Sequence, residues 1–348
     1  MNSDTPEKAF KVLLVGLGPT AATALESLAE RFTVVGVVRE CNDGAESVDP
    51  VSIRARQLGA RVLTTATISA IEQAVSELEP DCVVVSSFHR ILPDSLLTRC
   101  RFVNVHYAML PRYRGRANVN WAVINGEAIT GISIHEIAPR LDAGNILFQC
   151  AIEIGEEDTV MTLYERLNGI QRRALGETVE RFLKGEPGAP QDEIHSSYGC
   201  TRLPDDGEIN WSASSVSIDR LVRALARPFP GAFTYLQNKR LTVWRAARVF
   251  HAARYDGRIP GRVVHVMRSE GYVDVLTGDG MLRLYEVQLE GEEVAPAASV
   301  IRSVKIGLGL HIGDLLRRIE QLEAQITELT RRAQPAAGAS VNAGREGV

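Results

Sequence analysis

The chain has 348 residues, enough for two domains, and its 24% of charged residues is ordinary for a globular protein. Its 39 basic and 43 acidic residues leave a net charge of −4, so no overall basic field favours nucleic acid. No apolar run reaches the roughly 18–20 residues of a membrane span, and the first ten residues lack the apolar core of a signal peptide. The five cysteines form no CxxC pair, which argues against zinc and against a disulfide framework. We therefore expect a cytoplasmic protein that has no membrane partner.

The first part of the chain alternates between short apolar runs and helix-like segments. Predicted strands cover residues 11–16, 33–38, 61–63 and 81–86, and predicted helices cover residues 23–32, 51–58 and 67–78. This alternation predicts an α/β domain built on a doubly wound, mostly parallel sheet. The ligand crevice of such a sheet lies beyond the carboxyl ends of its strands.

The first strand runs into a glycine-containing turn with two interpretations. Gly16, Gly18 and Ala21 fit the spacing of a dinucleotide-binding turn, with Glu40 after the second strand as a ribose ligand. A single match of this kind is a weak signal, so a tight strand–helix turn is the simpler interpretation.

Candidate catalytic side chains come from two later segments. Asn104 and His106 lie two residues apart in a short apolar run, so in a strand they face the same side. Residues 131–137 read as a neighbouring strand, and the loop after it carries Asp142. An amide donor, an imidazole and a carboxylate together suit acyl transfer, because they can bind an oxyanion and move a proton.

Five sequence blocks surround these residues and identify a family. They read N-V-H at 104–106, L-P-R-Y-R-G-R-A at 110–117, N-W-A-V-I-N-G-E at 120–127, T-G-I-S-I-H at 130–135 and L-D-A-G-N-I at 141–146. Together they resemble the formyltetrahydrofolate-dependent formyltransferases, over roughly residues 11–309. Within that family the chain is most similar to the nucleotide-sugar N-formyltransferases, of the type that formylates UDP-4-amino-4-deoxy-L-arabinose.

The resemblance implies a reaction and roles for three residues. A formyl group passes from the co-substrate 10-formyltetrahydrofolate to the primary amine of an amino sugar, which is expected to be nucleotide-linked. Asn104 and protonated His106 donate hydrogen bonds to the oxyanion, and His106 then protonates the departing folate nitrogen. Asp142 stabilises the charged imidazole and helps to remove a proton from the amine. No covalent nucleophile and no metal are expected.

The resemblance also implies which residues contact the folate. Residues 90–92 follow the fourth strand, Arg116 lies in the arginine-rich segment 112–116, and residues 138–142 end at the catalytic aspartate. The predicted folate contacts are therefore Arg90, Ile91, Leu92, Arg116, Ala138, Pro139, Arg140, Leu141 and Asp142. Arg112 and Arg114 are more simply read as members of a solvated charged turn, and His135 as a structural histidine. Ala108 departs from the family, which commonly has a serine at this position.

The rest of the chain predicts a second domain and a helix. We expect a catalytic domain over residues 1–200, of which residues 186–200 read as a linker. An OB-like β-barrel over 201–311, an amphipathic helix over 312–333 and a disordered tail over 334–348 are expected to follow. In the helix, apolar residues recur at spacings of four and three, at Leu315, Ile319, Leu322, Ile326 and Leu329. We therefore expect a homodimer, and this helix either pairs with the partner subunit or docks on its own domain.

Two other functions stay open. Methionyl-tRNA formyltransferase resembles the chain in its two-domain layout and its three catalytic residues, but it would require a basic surface for tRNA, which the net charge of −4 disfavours. A non-catalytic module that binds folate or a nucleotide is the alternative from another class. The intact set of Asn104, His106 and Asp142 argues against it.

Overall fold

Residues 9–39, 49–251, 253–310 and 312–333 are described by the structure, which is a computed structural model. Glu40 and the tail predicted for residues 334–348 lie outside the described residues. The chain divides into two compact units. The first unit contains Met1–Gly207 and Asp219–Gly231, and the second contains Glu208–Ile218 and Ala232–Val348.

A seven-stranded sheet forms the centre of the first unit. Its strands lie in the order β3-β2-β1-β4-β5-β7-β8, and the first five of these run parallel. Strands β7 and β8 extend the sheet in antiparallel fashion. A parallel ribbon of two short strands, β6 and β9, lies apart from it. The bounds are β1 Lys11–Gly16, β2 Thr33–Val38, β3 Arg61–Leu63, β4 Cys82–Ser86, β5 Arg101–His106, β6 Arg114–Gly115, β7 Ile129–Glu136, β8 Ile146–Glu153 and β9 Tyr198–Gly199. The predicted α/β fold with a mostly parallel sheet is confirmed.

Helices cover both faces of this sheet, and alternate residues of each strand supply the two cores. Val12 and Leu14 of β1 belong to one buried cluster, whereas Leu13 and Val15 belong to the other. Complete burial of each such side chain contributes about 1.5–3 kcal/mol. The helices are α1 Gly18–Arg31, α2 Pro50–Gln57, α3 Ile68–Leu78, α4 Asp94–Leu97, α5 Asn118–Asn125 and α6 Val160–Leu183.

Local sequence explains where several helices begin. The Asp49 carboxylate accepts a hydrogen bond from the Ser52 amide at the start of α2, and the Thr67 hydroxyl does the same for the Ala70 amide in α3. Thr159 and Thr162 form a reciprocal capping box at the start of α6. Each cap satisfies amides that the helix itself leaves unpaired, and α2 and α3 begin within one residue of their predicted positions.

The glycine turn after β1 has a packing reason. A Cβ atom at Gly16 would lie 2.2 Å from the backbone oxygen of Ser86 in β4, so only glycine allows the two backbones to approach. This contact accounts for Gly16 without a dinucleotide.

The second unit is built on an antiparallel sheet. Its strands lie in the order β10-β11-β14-β13-β12, and β15 pairs with β14. Buried Trp211 anchors the sheet by donating its indole N–H to the Thr234 hydroxyl at 2.9 Å. Helix α7, Ser215–Ala224, begins in this unit and ends in the first, to which Asp219–Gly231 belongs. The other elements are β10 Ala232–Leu236, β11 Lys239–Arg248, β12 Val263–Met267, β13 Tyr272–Leu276, β14 Met281–Leu289, β15 Val294–Pro296, α8 Ala297–Val300 and α9 Ile312–Ala333. The antiparallel strands and the final helix are confirmed, whereas the OB-like barrel stays a prediction.

Two segments have more structure than the sequence indicated. The segment over residues 146–153, for which no strand was predicted, is strand β8. Residues 186–200, expected to be a linker, contain a 3-10 helix at Glu193–His195 as well as β9. Among the described helices, none combines the length and the apolar character needed to cross a bilayer.

Candidate active site

A cavity of about 520 Å³ opens in the first unit at the carboxyl ends of β4 and β5. Parallel strands of an open α/β sheet characteristically place ligands there. The cavity is lined by the three predicted catalytic residues and by all but one of the predicted folate contacts, namely Asn104, His106, Asp142, Arg90, Ile91, Leu92, Arg116, Ala138, Pro139 and Leu141. The chain therefore brings side chains from four separate segments to one concave surface.

Arg140 is the exception among the predicted contacts. It lies outside the lining, and its guanidinium pairs with the Glu193 carboxylate at 2.8 Å. Arg112 also lies outside the lining and forms an exposed ion pair with Glu127. Of the four arginines at 112, 114, 116 and 140, only Arg116 reaches the cavity.

Pairing between β5 and β7 determines how Asn104 is held. Asn104 lies opposite His135 in the antiparallel register, and its Nδ2 is 3.1 Å from His135 Nε2. His135 Nδ1 lies 2.7 Å from the Glu136 carbonyl oxygen, which can only accept, so this nitrogen carries the proton. Nε2 is then free to accept a hydrogen bond from Asn104. His135 therefore fixes the orientation of the Asn104 amide.

Burial also determines the protonation state of His135. It is 1% exposed, and burial lowers its pKa to about 4, with a further contribution from the nearby His106. The imidazole is therefore neutral at neutral pH, which agrees with its role as an acceptor. The sequence indicated a structural histidine but gave no sign that it contacts Asn104.

Asp142 lies between the other polar groups. Its Oδ2 accepts a hydrogen bond from the Gly115 amide at 2.8 Å and lies 3.5 Å from His106 Nδ1. Its Oδ1 lies 3.4 Å from Asn104 Nδ2 and 3.6 Å from His135 Nε2. One carboxylate thus faces both imidazoles and the amide.

His106 is oriented by a contact of Nε2, the ring nitrogen that faces away from Asp142. It is 5% exposed, and its Nε2 lies 2.8 Å from the Tyr113 carbonyl oxygen. A carbonyl requires a donor, so Nε2 carries a proton, and Nδ1 is the nitrogen that faces Asp142. The Asn118 side-chain nitrogen also lies 3.1 Å from Nε2, but in this tautomer both atoms are donors, so no hydrogen bond joins them. His106 can therefore gain or lose a proton at Nδ1 while Nε2 keeps its partner.

Several residues near the cavity adopt left-handed backbone conformations. Ser87, Ala117 and Asp142 have φ angles of 64°, 58° and 49°, and all three line the cavity. Such conformations are unfavourable for residues other than glycine and cluster at functional sites. The loop around Asp142 is tight as well, because a Cβ atom at Gly144 would lie 2.0 Å from the Glu136 carbonyl oxygen.

A buried arginine supports the loop that carries Asp142. Arg114 has no exposed side-chain surface, and its Nη2 donates to Gln191 at 2.7 Å and to Glu193 at 2.8 Å. Gln191 in turn donates its amide to the carbonyl oxygens of Asp142 and Gly144, each at 2.7 Å. Arg114 is therefore not part of a solvated turn. The sequence missed this network because Gln191 and Glu193 lie in the segment that it indicated as a linker.

The substitution at position 108 lies away from the cavity. Ala108 is buried and is not among the lining residues. Its carbonyl oxygen accepts a hydrogen bond from the Ser133 hydroxyl at 2.7 Å, and that hydroxyl accepts from the Leu110 amide at 3.2 Å. Ser133 thus holds the turn after β5 in the absence of a hydroxyl at position 108.

His106, His135 and Asp142 form the one group of potential metal ligands found in the described ranges, with ligand atoms within 4.8 Å of one another. The same atoms already have protein partners. His135 Nε2 accepts from Asn104, and Asp142 Oδ2 accepts from Gly115. Hydrogen bonding accounts for this cluster without a cation.

An open α/β domain with an amide, an imidazole and a carboxylate on one cavity suits an enzyme that performs acyl transfer. Comparison with known proteins identifies the family. A model described as "Formyl transferase" matches residues 32–179, and one described as "Formyl transferase, C-terminal domain" matches residues 203–305. The chain is 32% identical over 321 residues to methionyl-tRNA formyltransferase from Caldanaerobacter subterraneus subsp. tengcongensis. The aligned residues cover 88% of this chain and all of that relative. The chain belongs to the formyltransferase family and is an enzyme of that family.

Solved structures share the fold at lower identity. HypX from Aquifex aeolicus matches with a TM-score of 0.62 and 18% identity over 85% of this chain, and the chain spans about half (49%) of the length of HypX. An N-formyltransferase from Helicobacter canadensis, crystallised with folinic acid and dTDP-3-aminofucose, matches with a TM-score of 0.61 and 19% identity over 79% of this chain and 98% of that one. These likenesses bear on the fold alone.

Proposed function

We propose that the enzyme transfers a formyl group from 10-formyltetrahydrofolate to the primary amine of a nucleotide-linked amino sugar. The observation that carries this proposal is the convergence of Asn104, His106 and Asp142 on one cavity. Family membership supports the formyl transfer itself, and the sequence blocks between residues 104 and 146 support the sugar acceptor.

Attack of the neutral amine on the formyl carbon creates an oxyanion. Asn104 supplies one donor, because its second N–H makes only the long 3.4 Å contact with Asp142 and is free to turn. Protonated His106 supplies the other donor through Nδ1. Each such donor contributes typically about 3–4 kcal/mol to lowering the barrier.

Proton transfer then completes the reaction. Asp142 takes a proton from the attacking amine, and His106 gives its Nδ1 proton to the departing folate nitrogen. The 3.5 Å between His106 Nδ1 and Asp142 Oδ2 allows the proton to return to the imidazole once the products leave. The net products are a formamide and tetrahydrofolate, and no metal is required.

The lining residues of the cavity can be divided between the two substrates. Arg90, Ile91 and Leu92 form one group of lining residues together with Ala138, Pro139 and Leu141. Its apolar members suit the flat pterin ring, and Ile91 is 75% exposed and therefore available for contact. Arg116, Tyr198 and Thr201 also line the cavity. We assign Arg116 to the folate, and the segment from Tyr198 to the acceptor.

The test is an assay with 10-formyltetrahydrofolate and a panel of UDP- and dTDP-linked amino sugars. We expect turnover with at least one sugar, and a loss of about 10²–10³ in kcat for His106→Ala. A matched control is His265→Ala, because His265 Nδ1 also lies near an aspartate, 3.3 Å from Asp274, but in the second unit. Equal activity of wild type and His106→Ala would refute the assigned acid.

Methionyl-tRNA is the second candidate acceptor. The 32% identity to a methionyl-tRNA formyltransferase over that relative's whole length favours it. Charged initiator tRNA in the same panel separates the two. Turnover of tRNA alone would replace the sugar proposal while leaving the roles of Asn104, His106 and Asp142 intact.

A further inference from the structure

Helix α9 carries an apolar face that the rest of the described chain leaves uncovered. In heptad notation, isoleucine occupies the first three a positions and leucine all three d positions, namely Ile312, Ile319, Ile326, Leu315, Leu322 and Leu329. These six side chains are between 37% and 76% exposed. A continuous exposed apolar face of this kind marks an interaction surface.

The identity of the apolar residues indicates the partner. Isoleucine at a with leucine at d is the combination that favours two-stranded, parallel coiled coils. The 22 residues of α9 provide three heptads, and an isolated helix of this length is only marginally stable in water. We propose that α9 pairs with α9 of a second copy of this chain as a parallel, two-stranded coiled coil.

The flanking charges select the orientation. Arg318 lies at a g position and Glu323 at the following e position, so a parallel pair places each arginine opposite the glutamate of the other copy. An antiparallel pair that aligns the same six residues would place Arg318 near Gln325 and Glu323 near Leu316 of the other copy, so it would form neither ion pair. Within the part of the chain that the structure describes, neither residue forms an ion pair. Both are available to a partner helix.

The charge pattern of α9 argues against binding of this helix to a lipid surface. Helices that lie on membranes concentrate lysine and arginine on the polar face. Here acidic and basic residues are mixed along it, at Arg317, Arg318, Glu320, Glu323, Glu328, Arg331 and Arg332. Glu328 pairs with Arg331 and Arg332, so part of the basic charge is already neutralised within the helix.

The test measures the mass of the full-length chain by sedimentation equilibrium over about a hundredfold range of concentration. We expect a dimer that Ile319→Asp dissociates, with the dissociation constant raised at least about a hundredfold because a charge enters the seam. Gln321→Asp is the matched control, since it adds the same residue to the same helix at a position that faces away from the seam. It should leave the dimer unchanged.

Charge exchange tests the orientation. Arg318→Glu and Glu323→Arg each turn two attractive pairs into repulsive ones in a parallel dimer, so each should weaken it about tenfold. The double variant should restore wild-type affinity. In an antiparallel dimer Arg318 and Glu323 would face the uncharged Gln325 and Leu316, so the single variants would leave the affinity unchanged.

Three results would overturn the proposal. The first is a wild-type chain that stays monomeric over the whole range of concentration. If such a monomer also floats with anionic lipid vesicles in a flotation assay, the apolar face binds lipid instead. The second is a dimer that Ile319→Asp leaves intact, because another surface would then hold it. The third is a dimer that is sensitive to Ile319→Asp but insensitive to both single charge changes, which would exclude the parallel arrangement.

Discussion

The buried His135 gives the site a pH-dependent stability that can be measured. Replacing it by glutamine keeps an acceptor for Asn104 but removes the titratable ring. Burial lowers the pKa of His135 from its ordinary 6.5 to about 4 in the folded enzyme. Below pH 6.5 the unfolded chain therefore binds a proton that the folded chain does not, so the free energy of unfolding falls as the pH drops from 6.5 towards 4 and is fully retained above 6.5.

The size of this loss follows from the two pKa values. Between pH 7.5 and pH 5.0 the wild type should lose about 2 kcal/mol more than His135→Gln. The assay is urea unfolding at both pH values, read by hydrogen exchange of peptides from β5 and β7, which report on the first unit. His265→Gln is the control and should lose as much as the wild type. Equal losses in wild type and His135→Gln would refute the reasoning, as would a wild type that gains stability on acidification.

The remaining predictions concern catalysis, packing and the folate. Asp142→Asn should lower kcat about 10²–10³-fold with little change in KM, because it removes the charge beside His106 but keeps an acceptor for the Gly115 amide. Single-turnover kinetics measure this effect, and a change confined to KM would contradict the prediction. Ser133→Ala should destabilise the first unit by about 1–3 kcal/mol, since it leaves buried polar groups unpaired; an unchanged melting temperature would show that water replaces the hydroxyl. Arg116→Ala should raise KM for 10-formyltetrahydrofolate about tenfold. Arg140 lies outside the cavity, so Arg140→Ala should not raise this KM. Equal increases in KM for the two variants would contradict the assignment of Arg116, but not Arg140, to the folate.

Local periodicity explains why so much of the fold could be predicted. Short apolar runs at residues 11–16 and 33–38 and a helical pattern at 67–78 correspond closely to β1, β2 and α3. Strand β8 was missed because its residues are mostly half-buried, so its side chains show no clean alternation between core and solvent. Strand β9 has two residues, too few for any periodic pattern.

The sequence by itself determined the alternation of strands and helices, the heptads of α9, and the presence of Asn104 and His106 on one face of a strand, because each of these depends on residues a few positions apart. Only the tertiary structure decided that His135 holds Asn104, that Arg114 is buried against Glu193, and that Arg140 lies outside the cavity. The physical reason is the distance along the chain between the partners. A hydrogen bond between side chains 31 or 79 residues apart leaves no local pattern, and it exists only once the sheet has brought the strands and loops together.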